Sequence, residues 1–309
     1  TQLRLNEMGF VMVQLQAGPG TTATNLHLEY VDSDQPTGAF LPGLTIDPGG
    51  AVDLAATVIA ESLRRAGVHP DKIEEALIGC ILQGGLGQNV ARQAAIKAGI
   101  PTSTPSHTVN KVCGSGLKSI VLATQGIRLG DISVAVAGGT ENMSAAPYIL
   151  KGGRWGFRMG NQQAVDMMIH DGLWCAMGDE HMGCTAERLV DQYGLSREEQ
   201  DAFAAASQNK AEAAIKKGRF KDEIVPVEIP QRKGDPVVFD TDEFPRFGTT
   251  AEGLGKLRPA FQKDGSVTPG NASGINDGAS TVVALSEEAA EALAKGTMAR
   301  HIPDIEVNK

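Results

Sequence analysis

Cys113 stands in Val109-Asn110-Lys111-Val112-Cys113-Gly114-Ser115-Gly116-Leu117-Lys118, where a short apolar approach ends in one thiol, two glycines follow and a helical pattern begins. A thiol at that point lies where helix-end N–H groups favour negative charge, so its thiolate is easier to form. Glycines beside it let a substrate or a second backbone come close. The combination suits a nucleophile on a strand-to-helix turn, and the chemistry it fits is acyl transfer through a thioester. The competing assignment is a buried, inert thiol, the common fate of an unpaired cysteine. The glycine cluster Gly84-Gly85-Leu86-Gly87 lacks both GxGxxG and GxxxxGK, so it does not read as a nucleotide phosphate loop.

The elements that must carry the thiol are visible in the flanking pattern. Val52, Ala55, Ile59, Leu63 and Ala66 recur at helical spacing until Gly67 ends the run. Ala76-Leu77-Ile78-Gly79-Cys80-Ile81-Leu82 reads as a buried strand. A helix is predicted over residues 90–98, stopped by Gly99. Another follows Cys113, with Leu117, Ile120, Val121, Ala123 and Ile127 on one face and Gly130-Asp131 at its end. Residues 132–139 form a near-continuous apolar strand that ends in small residues. Alternating helix and buried strand predicts an α/β fold, a layered sheet with helices. Functional residues of such sheets collect at strand ends and the turns after them, where Cys113 falls.

From residue 144 to 270 the texture changes, with more Met, Trp and charge and no evident buried strand. A polar helix is predicted over 196–217, opened by a Ser196/Glu199 capping box, and short β pieces over 224–229 and 237–239. Strand character returns at Thr281-Val282-Val283-Ala284-Leu285, with Ser286 capping a last helix. The expected division is therefore residues 1–143 and 271–309 as one α/β unit, carrying 144–270 as a long inserted loop domain that holds substrate. In the front, residues 10–15 are a candidate strand and the stretch around Gly18-Pro19-Gly20 reads as loop.

Composition narrows the function classes. The chain has 309 residues, 41% hydrophobic, with 37 glycines and a formal net charge of −9, which argues against a basic nucleic-acid surface. Cys80, Cys113, Cys175 and Cys184 show no CxxC, so neither a disulfide framework nor a zinc site is signalled, and no metal is expected. A reducing compartment fits, and the expectation is cytoplasmic. No apolar run reaches the roughly 18 residues of a spanning helix, so no membrane partner is expected. Thr1-Gln2-Leu3-Arg4 lacks the apolar core of a signal peptide and an initiator methionine.

Five ordered blocks resemble the thiolases, in particular the acetyl-CoA acetyltransferases. They are the Cys113 block; Ala137-Gly138-Gly139-Thr140-Glu141-Asn142-Met143-Ser144; His181-Met182-Gly183 with Thr185-Ala186-Glu187; Lys256-Leu257-Arg258-Pro259-Ala260-Phe261; and Gly270-Asn271-Ala272-Ser273-Gly274-Ile275-Asn276-Asp277-Gly278. The likeness runs from about Thr37 to Ala299, and residues 1–33 match poorly. It implies the first of two similar α/β halves, plus a loop region that binds coenzyme A. The implied reaction is reversible Claisen condensation: two acetyl-CoA give acetoacetyl-CoA and coenzyme A. Cys113 would take the acyl group as a thioester. Leu173, His181, Met182, Arg246 and Ser273 would line the coenzyme A and acyl channel, and Ala137 to Ser144 would shape the pocket and a subunit contact. Coenzyme A is then substrate and product, no permanently bound cofactor is implied, and the family's homo-oligomers are dimers and tetramers.

Chemistry supports part of this. A thiolate attacking a thioester forms another thioester of similar energy, which suits a reversible reaction. The oxyanions need donors placed in advance, and the carbanion step needs a base near the acetyl methyl. Plainer roles exist for each channel residue. His181 can be an ordinary hydrogen-bonding histidine. Arg246 can pair with Asp240, Asp242 or Glu243. Ser273 can bond its own turn, and Met182 can fill space. The Gly-His-Pro, Cys-x-Gly-Gly-Gly and Asn-Glu-Ala-Phe motifs that the resemblance assigns to the second half do not occur, and the only histidine beyond Ser273 is His301. A truncated chain, one polypeptide of a pair, or a degenerate homologue that binds coenzyme A or a partner without turnover are the explanations. A cysteine hydrolase is a further alternative and would require a nearby histidine, for which His107 is nearest in sequence.

Overall fold

Small and branched apolar residues alternate across one four-stranded sheet, and that alternation sets how closely each helix can approach it. The computed structural model describes residues 2–5, 11–14, 50–229 and 234–296. The expected loop near Gly18, the fragment around Thr37 and His301 lie outside the described residues. At the front, β1 (Gln2–Leu5) pairs antiparallel with β2 (Val11–Gln14). Then come α1 (Gly50–Ala66), β3 (Glu75–Gly79), α2 (Val90–Lys97), β4 (Ser106–Val109), α3 (Ser115–Leu129) and β5 (Val134–Asn142).

Residues 143–276 contribute the hairpins β6 (Tyr148–Leu150) with β7 (Ala164–Asp166) and β8 (Trp174–Cys175) with β9 (Glu180–His181). A π-helical turn at Met168–Leu173 joins them. α4 (Met182–Tyr193) and α5 (Arg197–Lys216) follow, then the hairpin β10 (Val227–Ile229) with β11 (Val237–Phe239), and the short α6 (Ala251–Gly255). The chain closes with β12 (Asp277–Leu285) and α7 (Glu287–Ala294).

The main sheet runs β12-β5-β3-β4, with β3 parallel to β4 and β5, and β12 antiparallel to β5. On one face Ala76, Ile78, Val134, Val136, Val283 and Leu285 pack against Ile59 and Leu63 of α1 and Ala91 and Ala94 of α2. On the other, Leu77, Ala135 and Ala137 meet Ala123, Ile120 and Leu122 of α3. The period of two sends each strand's neighbours to opposite cores. Within α3, Leu117 and Val121 remain 38% exposed, so they do not share the buried face predicted for them with Ile120 and Ala123.

The predicted ends of α1, α2 and α3 are observed, each closed by a glycine with positive φ at Gly67, Gly99 or Gly130. Ser196 caps α5 through the expected capping box, and Ser286 caps α7. The strand predicted over 76–82 stops at Gly79, and that predicted over 224–229 is only Val227–Ile229. The four strands β6 to β9 and the helix α4 carried no sequence signal strong enough to predict. Two- and three-residue strands are too short to show alternation. The 143–276 region is tied back to α1 by Arg65, which donates to the carbonyls of Asp222 (2.7 Å), Glu223 (3.2 Å) and Ile224 (3.2 Å).

Candidate active site

Cys113 sits in the turn between β4 and α3, one residue before Gly114, the N-cap of α3. It is exposed, whereas Cys80 is buried, and no disulfide joins the four cysteines. The two thiols differ in kind. The Cys80 thiol is pushed far up by burial and by the adjacent Glu141, whose Oε1 lies 3.6 Å from its Sγ. Cys80 is therefore the inert, protonated core thiol, and Cys113 the one that solvent and a substrate can reach.

Glycine and serine bring α3 onto the sheet. A Cβ on Gly79 would fall 2.5 Å from Gly116 N, and one on Gly139 would fall 3.2 Å from Gly116 Cα. The start of α3 thus lies directly on the ends of β3 and β5. The buried Ser119 Oγ accepts the Gly138 N–H at 2.9 Å and lies 2.7 Å from the carbonyls of both Gly116 and Gly138, a polar weld between helix and strand.

Beside this weld, Glu141 accepts N–H bonds from Ile81 (2.9 Å) and Leu82 (3.0 Å), which organises the turn leaving β3. Burial raises its pKa, outweighing those two donors, and Asp277 adds to the rise. Ser144 donates its N–H (2.9 Å) and Oγ–H (2.5 Å) to the Asp277 carboxylate. The Ala137–Ser144 block therefore builds the C-terminal end of the parallel strands, a role that its apolar pattern could not disclose.

The other five candidate residues fall in four places. Leu173 ends the π-helical turn and is half-buried; the preceding Gly172 packs on Leu82, so Leu173 is held at the end of the sheet that also carries Cys113. His181 caps α4: its Nδ1 accepts the Gly183 N–H at 3.0 Å, which leaves Nε2 as the ring N–H. Its ring stacks on Phe261 at 4.9 Å, joining two of the sequence blocks. Met182 is exposed at the first position of α4.

Arg246 is exposed, with its backbone N–H donating to Gln208 (2.7 Å). Among the described residues no carboxylate lies within ion-pair distance of its guanidinium, so the alternative role of pairing with Asp240, Asp242 or Glu243 is not seen. Ser273 is exposed in the turn before β12, and the next residue, Gly274, would place a Cβ 2.1 Å from the Phe244 ring. The Arg246 and Ser273 segments are therefore packed together. His107, the histidine a hydrolase would need, lies on β4 with Nδ1 3.4 Å from Glu75 at the start of β3.

Comparison with known proteins agrees with the blocks. The thiolase N-terminal domain matches residues 45–288. An acetyl-CoA acetyltransferase of Pseudomonas aeruginosa is 59% identical over 250 residues, covering 81% of this chain and 64% of the relative. One from Cupriavidus necator is 57% identical over 243 residues, covering 79% and 62%. The crystal structure of the Bacillus anthracis acetyl-CoA acetyltransferase superposes with a TM-score of 0.78 at 43% identity, covering 83% of this chain and 64% of that one. The chain thus spans just under two thirds of the length of these relatives. With most of its length matched in sequence and in fold, the chain belongs to the thiolase family.

Proposed function

We propose that this protein is a thiolase-type acyltransferase that condenses two acetyl-CoA reversibly to acetoacetyl-CoA and coenzyme A. The single observation that carries the reading is the exposed Cys113 at the start of α3, seated by glycines at the end of the parallel strands of the mixed sheet. In the first half-reaction the Cys113 thiolate attacks the acetyl carbonyl. The carbon–sulfur bond to the enzyme forms, and coenzyme A leaves as its thiolate. In the second, the deprotonated methyl of another acetyl-CoA attacks the acyl-Cys113, a carbon–carbon bond forms, and the Cys113 thiolate is released. Helix-end N–H groups favour that thiolate each time it appears.

Leu173, His181, Met182, Arg246 and Ser273 line the coenzyme A and acyl channel in this reading. The packing of Gly172, next to Leu173, on Leu82, and of the Arg246 segment on that of Ser273, supports it. Residues 144–270 act as the loop domain that holds coenzyme A, carried on the α/β unit of 1–143 and 271–309. Coenzyme A is substrate and product, no cofactor stays bound, and the protein works as a homo-oligomer in the cytoplasm. No helix among the described residues is long and apolar enough to cross a membrane. The motifs to which the family resemblance assigns the bases do not occur in this sequence, so the reading gives this chain the nucleophile and the channel. The test is intact mass before and after acetoacetyl-CoA. The expected result is gain of one acyl group that Cys113→Ser abolishes; an adduct that survives this substitution refutes the assignment.

A further inference from the structure

The backbone just before Cys113 is held in a conformation that its own side chain opposes. Val112 has φ of 49°, in the left-handed region that a β-branched residue avoids. Two side chains grip it there. Asn110 Oδ1 accepts the Val112 N–H at 3.0 Å. Ser115 Oγ donates to the Val112 carbonyl at 2.5 Å and accepts the Lys111 N–H at 2.8 Å, while the Ser115 N–H donates to the same carbonyl at 3.0 Å.

Ser115 cannot drift from this position. It is fully buried, and a Cβ on Gly79 would fall 2.8 Å from its own Cβ. Neither side chain caps α3, whose N-cap Gly114 has no side-chain cap bond. What the pair determines is the direction in which the chain leaves Val112, and hence where the Cys113 thiol points.

We infer that Asn110 and Ser115 are positioning residues for the nucleophile, clamping Val112 in its left-handed conformation so that Cys113 is presented outward at the start of α3. The inference rests on the reading of Cys113 as nucleophile. A residue held at an unfavoured φ relaxes once its restraints go. Val112 then returns to the ordinary right-handed or extended regions, and Cys113 is presented in only a fraction of molecules.

Iodoacetamide labelling of the folded full chain, read by peptide mass mapping, tests this. The half-buried Cys175 and Cys184 serve as internal references. In the wild type, Cys113 is expected to react faster than both. Asn110→Ala and Ser115→Ala are expected to slow Cys113 roughly five-fold, the population ratio that one hydrogen bond of ordinary strength controls. The reference cysteines should not change, whereas a merely loosened fold would speed them. Asn110→Ser, whose hydroxyl can accept the same N–H, should keep most of the wild-type rate. If Ser115→Ala disturbs the buried contact and unfolds the chain, Asn110→Ala decides, because Asn110 is exposed. A privileged wild-type Cys113 whose rate neither variant alters overturns the clamp and leaves the nucleophile standing. A wild-type Cys113 no faster than the references overturns both.

Discussion

Gly79→Ala is the sharpest test of how the site is seated. The added Cβ would lie 2.5 Å from Gly116 N and from Ser115 C, and 2.8 Å from Ser115 Cβ, where ordinary contact begins at 3.4 Å. Two of these three are backbone atoms, so no side-chain rotation relieves the overlap. The start of α3 must instead retreat from the sheet by about 1 Å, a strain of the overpacking kind that costs about 1–3 kcal/mol. Gly79 is not at positive φ, so the alanine also gains about 0.4–1 kcal/mol from a less flexible unfolded chain. The steric term wins, and the expected net loss is about 1–2 kcal/mol in urea unfolding at unchanged slope. Gly255→Ala is the matched control: nothing lies nearer than 4.0 Å to its Cβ, and it sits in α6, so stability should rise by about 0.5 kcal/mol. If Gly79→Ala proves as stable as Gly255→Ala, the close seating of α3 on β3 is wrong, and with it the account of how Cys113 is placed.

Three further outcomes are expected. Arg64, aided by Arg65, holds the Glu61 carboxyl down from 4.5 to about 2, so its stabilisation is present above pH 4.5 and lost as pH falls toward 2. Glu61→Gln should flatten acid unfolding across that window by about 1 kcal/mol, a figure discounted because the Arg64 side chain is 70% exposed. Glu141 behaves oppositely: burial raises it above 4.5, so the native state binds more proton there and stability falls as pH rises through the interval up to its raised value. Glu141→Gln should remove that fall in unfolding free energy measured against pH. Glu187, buried at 3% exposure, accepts the N–H groups of Ser266 (3.0 Å) and Val267 (2.8 Å). Glu187→Ala strands both donors and should cost about 3 kcal/mol, read as faster proteolysis within residues 260–270.

Periodicity disclosed the sheet unit because its cores are regular. Ala76, Ile78, Val134 and Val136 against Leu77, Ala135 and Ala137 is a period of two that shows in the letters, and glycines punctuate the helix ends. The 143–276 region was less legible for a physical reason. Its hairpins are two or three residues long, and its buried order comes from side-chain to backbone bonds such as those of Glu187 and Arg65, which leave no periodic trace. Within the candidate site, the placement of Cys113 in an exposed turn just before α3 is readable from its glycine flank. The clamp on Val112 was not, since valine is the last residue that propensity would put at positive φ. Asn110 and Ser115 were both in the motif, and Asn two residues before a turn amide was the available clue.

The pairing of Asn142 with Asp277 bears on how such chains vary and fold. The two ends of residues 143–276 leave and re-enter the sheet side by side, and Ser144 ties that neck to Asp277. Everything beyond the neck is, to the sheet, a closed loop of adjustable size. Doubling a loop costs only about 0.6 kcal/mol in closure entropy, so insertions and deletions there leave the strand register nearly untouched. The same arrangement makes β12 the late arrival in folding. The β3, β4 and β5 strands can associate through nearby helices, while the β5–β12 zipper waits for the whole excursion to be synthesised and gathered, which raises contact order where the sheet closes.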